Sequence, residues 1–170
     1  MFEKYLDMLK NTALFEGIEI SDLEVMLYCF HVKAENYRKG SFIVLAGDQV
    51  SSIGIILSGS VSVIKENDYG EKNIVSVLKA GDTFGEAAAF SNQPHVPSSI
   101  EANDDCSVLF IPKYKMIVKC TKACKFHQKL IENFLKIISD KLFILNRKVE
   151  YISIKSMREK LSRYILEQYE

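Results

Sequence analysis

The chain has 170 residues, 48% of them hydrophobic, with 22 Lys/Arg balanced by 22 Asp/Glu. That length and apolar content suit one packed domain, or one domain with part of a second. No run of about 18 apolar residues occurs and the start, MFEKYLDMLK, has no continuous apolar core, so the sequence predicts neither a membrane span nor a secretory leader and points to the cytoplasm. The overall neutrality conceals an asymmetry. Residues 1–112 carry 8 Lys/Arg against 16 Asp/Glu, whereas residues 113–170 carry 14 against 6. The basic residues of the second part are spread out, as on a solvated helix that could also lie near nucleic acid.

In chain order, Leu14–Ile18 (LFEGI) reads as a helix end and a turn. Ser21-Asp-Leu-Glu24 has the form of a capping box, opening a helix with Leu23, Met26, Leu27 and Phe30 at helical spacing. From about residue 32 to 111 the pattern changes to short β-branched and aromatic runs punctuated by Gly, Asp and Asn. Strands are expected over Phe42–Leu45, Ile53–Leu57, Val61–Ile64, Asn73–Leu78, Ile100–Ala102 and Ser107–Ile111, with a turn at Asn67–Gly70. Several short strands at about ten-residue spacing predict a sandwich, jelly roll or barrel.

Within that region, residues 81–99 (GDTFGEAAAFSNQPHVPSS) have the form of a phosphate-holding loop. A Gly-Asp turn leads to a Gly-Glu step into an Ala-rich helical turn, and a pair of small residues, Ser98-Ser99, follows. Backbone N–H groups at the start of such a turn can receive an anion. A tightly held phosphate also wants a guanidinium fork. No Lys or Arg occurs between Lys79 and Lys113, so the cradle lacks its cation.

Pro112 ends the strands, a short helix is expected over Lys113–Lys119, and a long one runs from near Cys124 to about Ser153. On it Ile131, Leu135, Ile138, Leu142, Leu145, Val149 and Ile152 repeat with 4-3-4-3-4-3 spacing, a heptad seam. Leu130, Phe134, Ile137 and Ile144 form an adjacent stripe. Two stripes require two partners: the stripe is assigned to the β domain and the seam to the same helix of a second copy. The expectation is a parallel homodimer. Ser156-Met-Arg-Glu159 is a second capping box, opening a helix with Met157, Leu161, Tyr164 and Ile165 along one face.

The four cysteines, Cys29, Cys106, Cys120 and Cys124, contain no CxxC pair. Cys120 and Cys124 with His127 could form a metal or redox cluster on one helical face, but inert reduced thiols are the default. The three histidines, His31, His95 and His127, lie in different elements, and no His-x-His pair, Ser/His/Asp set or P-loop is present. No catalytic residue, metal ligand set or cofactor is assigned, and an enzyme is not expected.

These segments resemble the Crp/Fnr superfamily of bacterial transcription regulators. LFEGIEISDLEVML is similar to the family's N-terminal helical lead. SGSVSVIKENDYGEKNIVSVLKAGDTFGEAAAF is similar to its β-roll, with Gly59, Gly70, Gly81 and Gly85 at turns. KSMREKLSRYILEQ is similar to the first helix of its winged helix-turn-helix domain. The resemblance implies a mostly β chain with flanking helices: N-terminal helices and a double-stranded β-helix (jelly-roll) effector domain over 1–122, a dimerisation helix over 123–154, and over 155–170 the first helix of a DNA-binding domain otherwise absent. It implies DNA as a partner only through that absent domain, and RNA polymerase as a candidate partner of the full-length protein. It places an effector pocket at Gly85, Glu86, Ala87, Ser98 and Ser99, with Leu145 and Asn146 on the long helix. In cyclic-nucleotide-binding members the Glu holds the ribose, an Arg holds the phosphate and a Thr-Ser pair holds the purine. Here Pro97 stands in the arginine's place, and Leu145 and Asn146 replace the purine contacts. The chain is therefore expected to be the sensor and dimerisation part of a regulator that does not answer to cyclic AMP. The alternatives are a cyclic-nucleotide-binding regulatory domain and, behind it, a redox, haem or metal sensor; Glu86 could equally be structural, capping amides of its own loop.

Overall fold

The computed structural model describes residues 2–67, 69–93, 95–118 and 126–167. They form two compact units, Met1–Phe134 and Leu135–Glu170.

The first unit opens with helices. A 3₁₀ turn at Glu3–Tyr5 leads into α1 (Leu6–Lys10), a second at Ala13–Phe15 follows, and α2 covers Ile20–Phe30. Leu23, Met26, Leu27 and Phe30 are buried on one face of α2, as their spacing requires. Its start corrects the expected capping box. The N-cap is Glu19, and Ser21 already lies inside the helix. The Asp22 and Leu23 amides are met by the Glu19 backbone carbonyl, so no side-chain cap is needed.

Among the described residues eight strands follow: β1 (Lys33–Tyr37), β2 (Phe42–Val44), β3 (Ser52–Ser58), β4 (Ser60–Glu66), β5 (Lys72–Lys79), β6 (Thr83–Phe84), β7 (Ser99–Ala102) and β8 (Cys106–Pro112). They form two four-stranded antiparallel sheets, ordered β1-β8-β3-β6 and β2-β7-β4-β5. All six expected strands are present. β1 and β6 lacked a strand signature of their own: β1 is KAENY, polar and at a sheet edge, and β6 is two residues long. Val44, Ile56, Val61, Phe84, Ala88, Val96, Ile100, Ala102, Cys106 and Val108 fill the space between the sheets. Phe84 lies flat on β3, its ring so close to Gly54 that a Cβ there would sit 2.2 Å from Cζ. A backbone without a side chain at 54 is what lets that ring enter the core.

A short helix, α3 (Glu86–Phe90), joins β6 to the segment before β7, and α4 (Lys113–Ile117) follows β8. The long helix, α5, runs over His127–Ser153. Its first two turns belong to the first unit and are anchored there by polar as well as apolar contacts. Asn133, 3% exposed, donates from Nδ2 to the carbonyls of Leu14 (3.1 Å) and Glu16 (2.8 Å). His127 donates from Nε2 to the Met116 carbonyl at 2.6 Å and meets the Phe30 ring edge-on. Leu130 is buried, and the Phe134 ring packs against Phe90, tilted by 42° with 4.9 Å between centroids. That accounts for the first half of the second apolar stripe; Ile137 and Ile144 fall in the second unit.

The second unit holds the remainder of α5 and α6 (Met157–Glu167), with a non-helical elbow at 154–156 between them. Ser156 caps α6: its Oγ accepts from the Glu159 amide at 3.4 Å. This is the N-cap half of the expected capping box.

Candidate functional site: an anion cradle without a cation

The cradle begins where β5 turns into β6. The Asp82 carboxylate accepts from the Lys79 amide (2.8 Å) and the Asp82 amide returns a bond to the Lys79 carbonyl (2.9 Å), closing a tight turn. Gly81 then donates to Ile56 on β3, and Ile56 donates to the Asp82 carbonyl, fixing the loop against the sheet. Gly85, at φ +83°, occupies the left-handed region and serves as N-cap of α3. A Cβ at this position would also stand 3.3 Å from the Ser52 carbonyl oxygen. The Gly-Glu step thus needs its glycine twice over, for the dihedral and for the approach to β3.

Glu86 is the first residue of α3 and is 6% exposed. Burying a carboxylate is costly unless donors meet it. Thr83, equally buried on β6, supplies one, its hydroxyl donating to Glu86 Oε1. Sequence reading singled out Glu86 but missed Thr83. The available signal was a hydroxyl three residues before an acid in a segment bound to enter the core. Ala87, the other expected contributor on α3, is exposed, whereas Ala88 and Ala89 are buried.

Facing this loop in the chain's order is the segment that carries Pro97, Ser98 and Ser99. Pro97 is exposed and both serines are half-buried. Their segment is zipped onto the loop after β2: Gly47 donates to the Val96 carbonyl (2.8 Å), Val96 to the Asp48 carbonyl (3.0 Å), and Ala46 to Ser99 Oγ (3.0 Å). His95 adds a bond from Nδ1 to the Gly47 carbonyl (2.8 Å). The Val96 amide and the Ser99 oxygen are therefore engaged within the protein. No cation enters from residues 80–112, where the ionisable groups besides His95 and Cys106 are Asp82, Glu86, Glu101, Asp104 and Asp105.

Leu145 and Asn146 lie on α5 in the second unit and are exposed. The seam, to which Leu145 belongs, is exposed as well: Leu135, Leu142, Leu145, Val149 and Ile152 are between 53% and 76% accessible, and Ile138 is half-buried. Cys120 and Cys124 lie outside the described residues. His127, their conceivable partner, is buried and bonded to Met116, with no hydrogen-bond partner at Nδ1. Among the described residues no three His, Cys, Asp or Glu side chains come together as a metal site. No described helix is long and apolar enough to cross a membrane.

The sequence and the architecture are similar to those of known proteins. The family model for the cyclic nucleotide-binding domain matches residues 34–121, just over half of the chain. Human cGMP-dependent protein kinase 2 is 26% identical over 112 residues, 65% of this chain and 14% of the kinase. The cAMP-activated global transcriptional regulator Vfr of Pseudomonas aeruginosa is 24% identical over 140 residues, 81% of this chain and 64% of the regulator. The matched stretch thus spans less than two thirds of either relative. Among solved structures, the sensor domain of the transcriptional regulator DNR from Pseudomonas aeruginosa superposes with a TM-score of 0.65 at 19% identity, covering 92% of this chain and 97% of that one. At that identity the likeness establishes the fold alone, a two-sheet jelly roll with flanking helices.

Proposed function

This chain belongs to the cyclic nucleotide-binding domain family, and from that premise we propose that it is the sensor and dimerisation part of a DNA-binding transcription regulator whose effector is not a cyclic nucleotide. It binds and transmits; it does not catalyse. The observation that carries the regulator reading is the heptad seam. Six of its residues, Leu135 to Ile152, lie on the second unit's stretch of α5, and five of them are more than half exposed in the single chain. A soluble protein rarely leaves so long an apolar stripe uncovered. A second copy presenting the same stripe would cover it by knobs-into-holes packing. In this reading α6, capped by Ser156, is the first helix of the DNA-binding domain, which works in the cytoplasm.

The effector part of the reading rests on charge. A bidentate, charge-assisted contact to a buried phosphate is worth about 2–5 kcal/mol, roughly 30- to several-thousand-fold in affinity. The resemblance puts Pro97 where that contact would originate, and it replaces the purine contacts by Leu145 and Asn146, which are exposed on α5. Glu86, the ribose acceptor in nucleotide-binding relatives, already receives the Thr83 hydroxyl.

Native mass spectrometry and light scattering on the full chain test the seam. The expected result is twice the 19.4 kDa chain mass at micromolar concentration, with Leu142→Glu shifting the protein to monomer while its circular dichroism is retained. A wild-type monomer at that concentration would remove the dimerisation reading.

A further inference from the structure

One side chain bridges the elbow from α6 to α5. Arg163, on the second turn of α6, donates from its guanidinium to Glu150 Oε2 at 2.9 Å. The same guanidinium lies over the Tyr151 ring, 5.7 Å from the centroid. Both partners belong to the last turns of α5. Thirteen residues separate Glu150 from Arg163, and in an unbroken helix their Cα atoms would stand about 20 Å apart. Side chains of this length cannot span that distance. The contact exists because the chain leaves the helix at 154–156 and α6 turns back toward α5.

The other contacts at the elbow are local to the helix ends. The Ile154 amide reaches the Tyr151 carbonyl at 3.4 Å, a long bond, and the Ser156 contacts to Glu159 and Lys160 lie within α6's own first turn. The apolar residues Met157, Leu161 and Leu166 of α6 are 60% exposed or more, so burial contributes little to the seating of this helix. We propose that Arg163 is a positioning residue: its paired contact with Glu150 and Tyr151 latches α6 against the end of α5 and sets the direction in which α6 leaves the long helix. The ion pair is solvent-exposed and the Tyr151 ring only half-buried, which makes the latch weak and reversible. An exposed ion pair and a cation over an aromatic face together correspond to about a three- to thirtyfold bias between latched and open forms. Such a bias is small enough for a signal arriving along α5 to reverse it. As a device that orients a DNA reader, the latch rests on the reading of α6 given above; the contact itself does not.

The latch is testable by electron–electron distance measurement on the full chain. Spin labels are attached to ketone-bearing residues introduced at the exposed positions 143 and 166, leaving the native cysteines alone, and labelled chains are diluted with unlabelled ones to remove distances between copies. The wild type should give a predominantly short, narrow distribution. Arg163→Ala should raise the longer population about three- to thirtyfold, Glu150→Gln and 0.5 M salt should do so in part, and Arg163→Lys should restore the short distance in part. An unchanged distribution in Arg163→Ala overturns the proposal, as does an Arg163→Lys distribution identical to that of Arg163→Ala. Mass measurement on the same samples keeps the two ideas apart: a monomer with a short distance refutes the dimer and keeps the latch, and a dimer indifferent to Arg163 does the reverse.

Discussion

Thr83 and Glu86 form a buried hydrogen-bonded pair at the start of α3. The Glu86 side chain is 6% exposed and accepts from a hydroxyl on the adjoining strand. Replacing Thr83 with Val keeps the volume and removes the donor. A buried acceptor that loses its partner costs about 1–3 kcal/mol. Thr83→Val should therefore lower the melting temperature by several degrees in a calorimetric scan, and Thr83→Val with Glu86→Gln should lower it less, because the amide is cheaper to bury than the carboxylate. Equal losses would mean that the hydroxyl is not what supports Glu86. Cys106 makes a second residue-scale case. Burial raises its thiol pKa above the ordinary 9.0, and the nearby Asp104 and Asp105 carboxylates push in the same direction. It should resist iodoacetamide at pH 8 in the native protein and react on unfolding, as mass mapping would show. The unfolded thiol ionises first, so this group's stabilisation is complete below the ordinary value and is lost as pH rises through the higher folded-state pKa.

At the scale of elements, the sequence was most readable where periodicity and burial agree. The alternating and β-branched runs of β3, β4 and β8 declared themselves, and so did the 3.6-residue pattern of α2. β1 did not, because KAENY is a polar edge strand defined by its partner β8 and not by its own composition. The Ser21 box misled because a backbone carbonyl, that of Glu19, had already met the amides a side chain would cap. The cradle's glycines were legible, since a left-handed dihedral at Gly85 demands one, but Thr83 acts across a loop closure that only the fold brings about. Asn133 was equally invisible: a lone polar residue beside an apolar stripe gives no sign that it will reach two carbonyls 117 and 119 residues earlier. It ties the root of α5 to the turn at Ala13–Phe15. Asn133→Leu should strand both carbonyls and destabilise the protein by about 2 kcal/mol in urea unfolding. Amides of residues 13–18 should lose hydrogen-exchange protection first, and no change in either would remove Asn133 from its anchoring role.

For the whole molecule, the reading joins a sensor whose cradle lacks a cation to a helix whose apolar seam lacks a cover. The seam's residue choice bears on stoichiometry. Leu135, Leu142 and Val149 share one core position of the heptad, and Ile131, Ile138, Leu145 and Ile152 share the other. Leu at the first position with Ile at the second also suits bundles of more than two strands. The mass measurement therefore discriminates dimer from larger assembly as well as from monomer. Strand spacing pointed to a sandwich, jelly roll or barrel, and the resemblance to the Crp/Fnr superfamily implied the jelly roll. The effector could not be read, because a ligand's identity lies in contacts that close only in three dimensions.

The central claim is that this member of a nucleotide-binding family does not hold cyclic nucleotides. Isothermal titration of the full chain with cyclic AMP and with cyclic GMP tests it most directly. The account predicts no saturable heat with either ligand at concentrations up to the high micromolar range. Saturable binding with a micromolar Kd would contradict it, and would mean that the cradle's backbone amides suffice without an arginine.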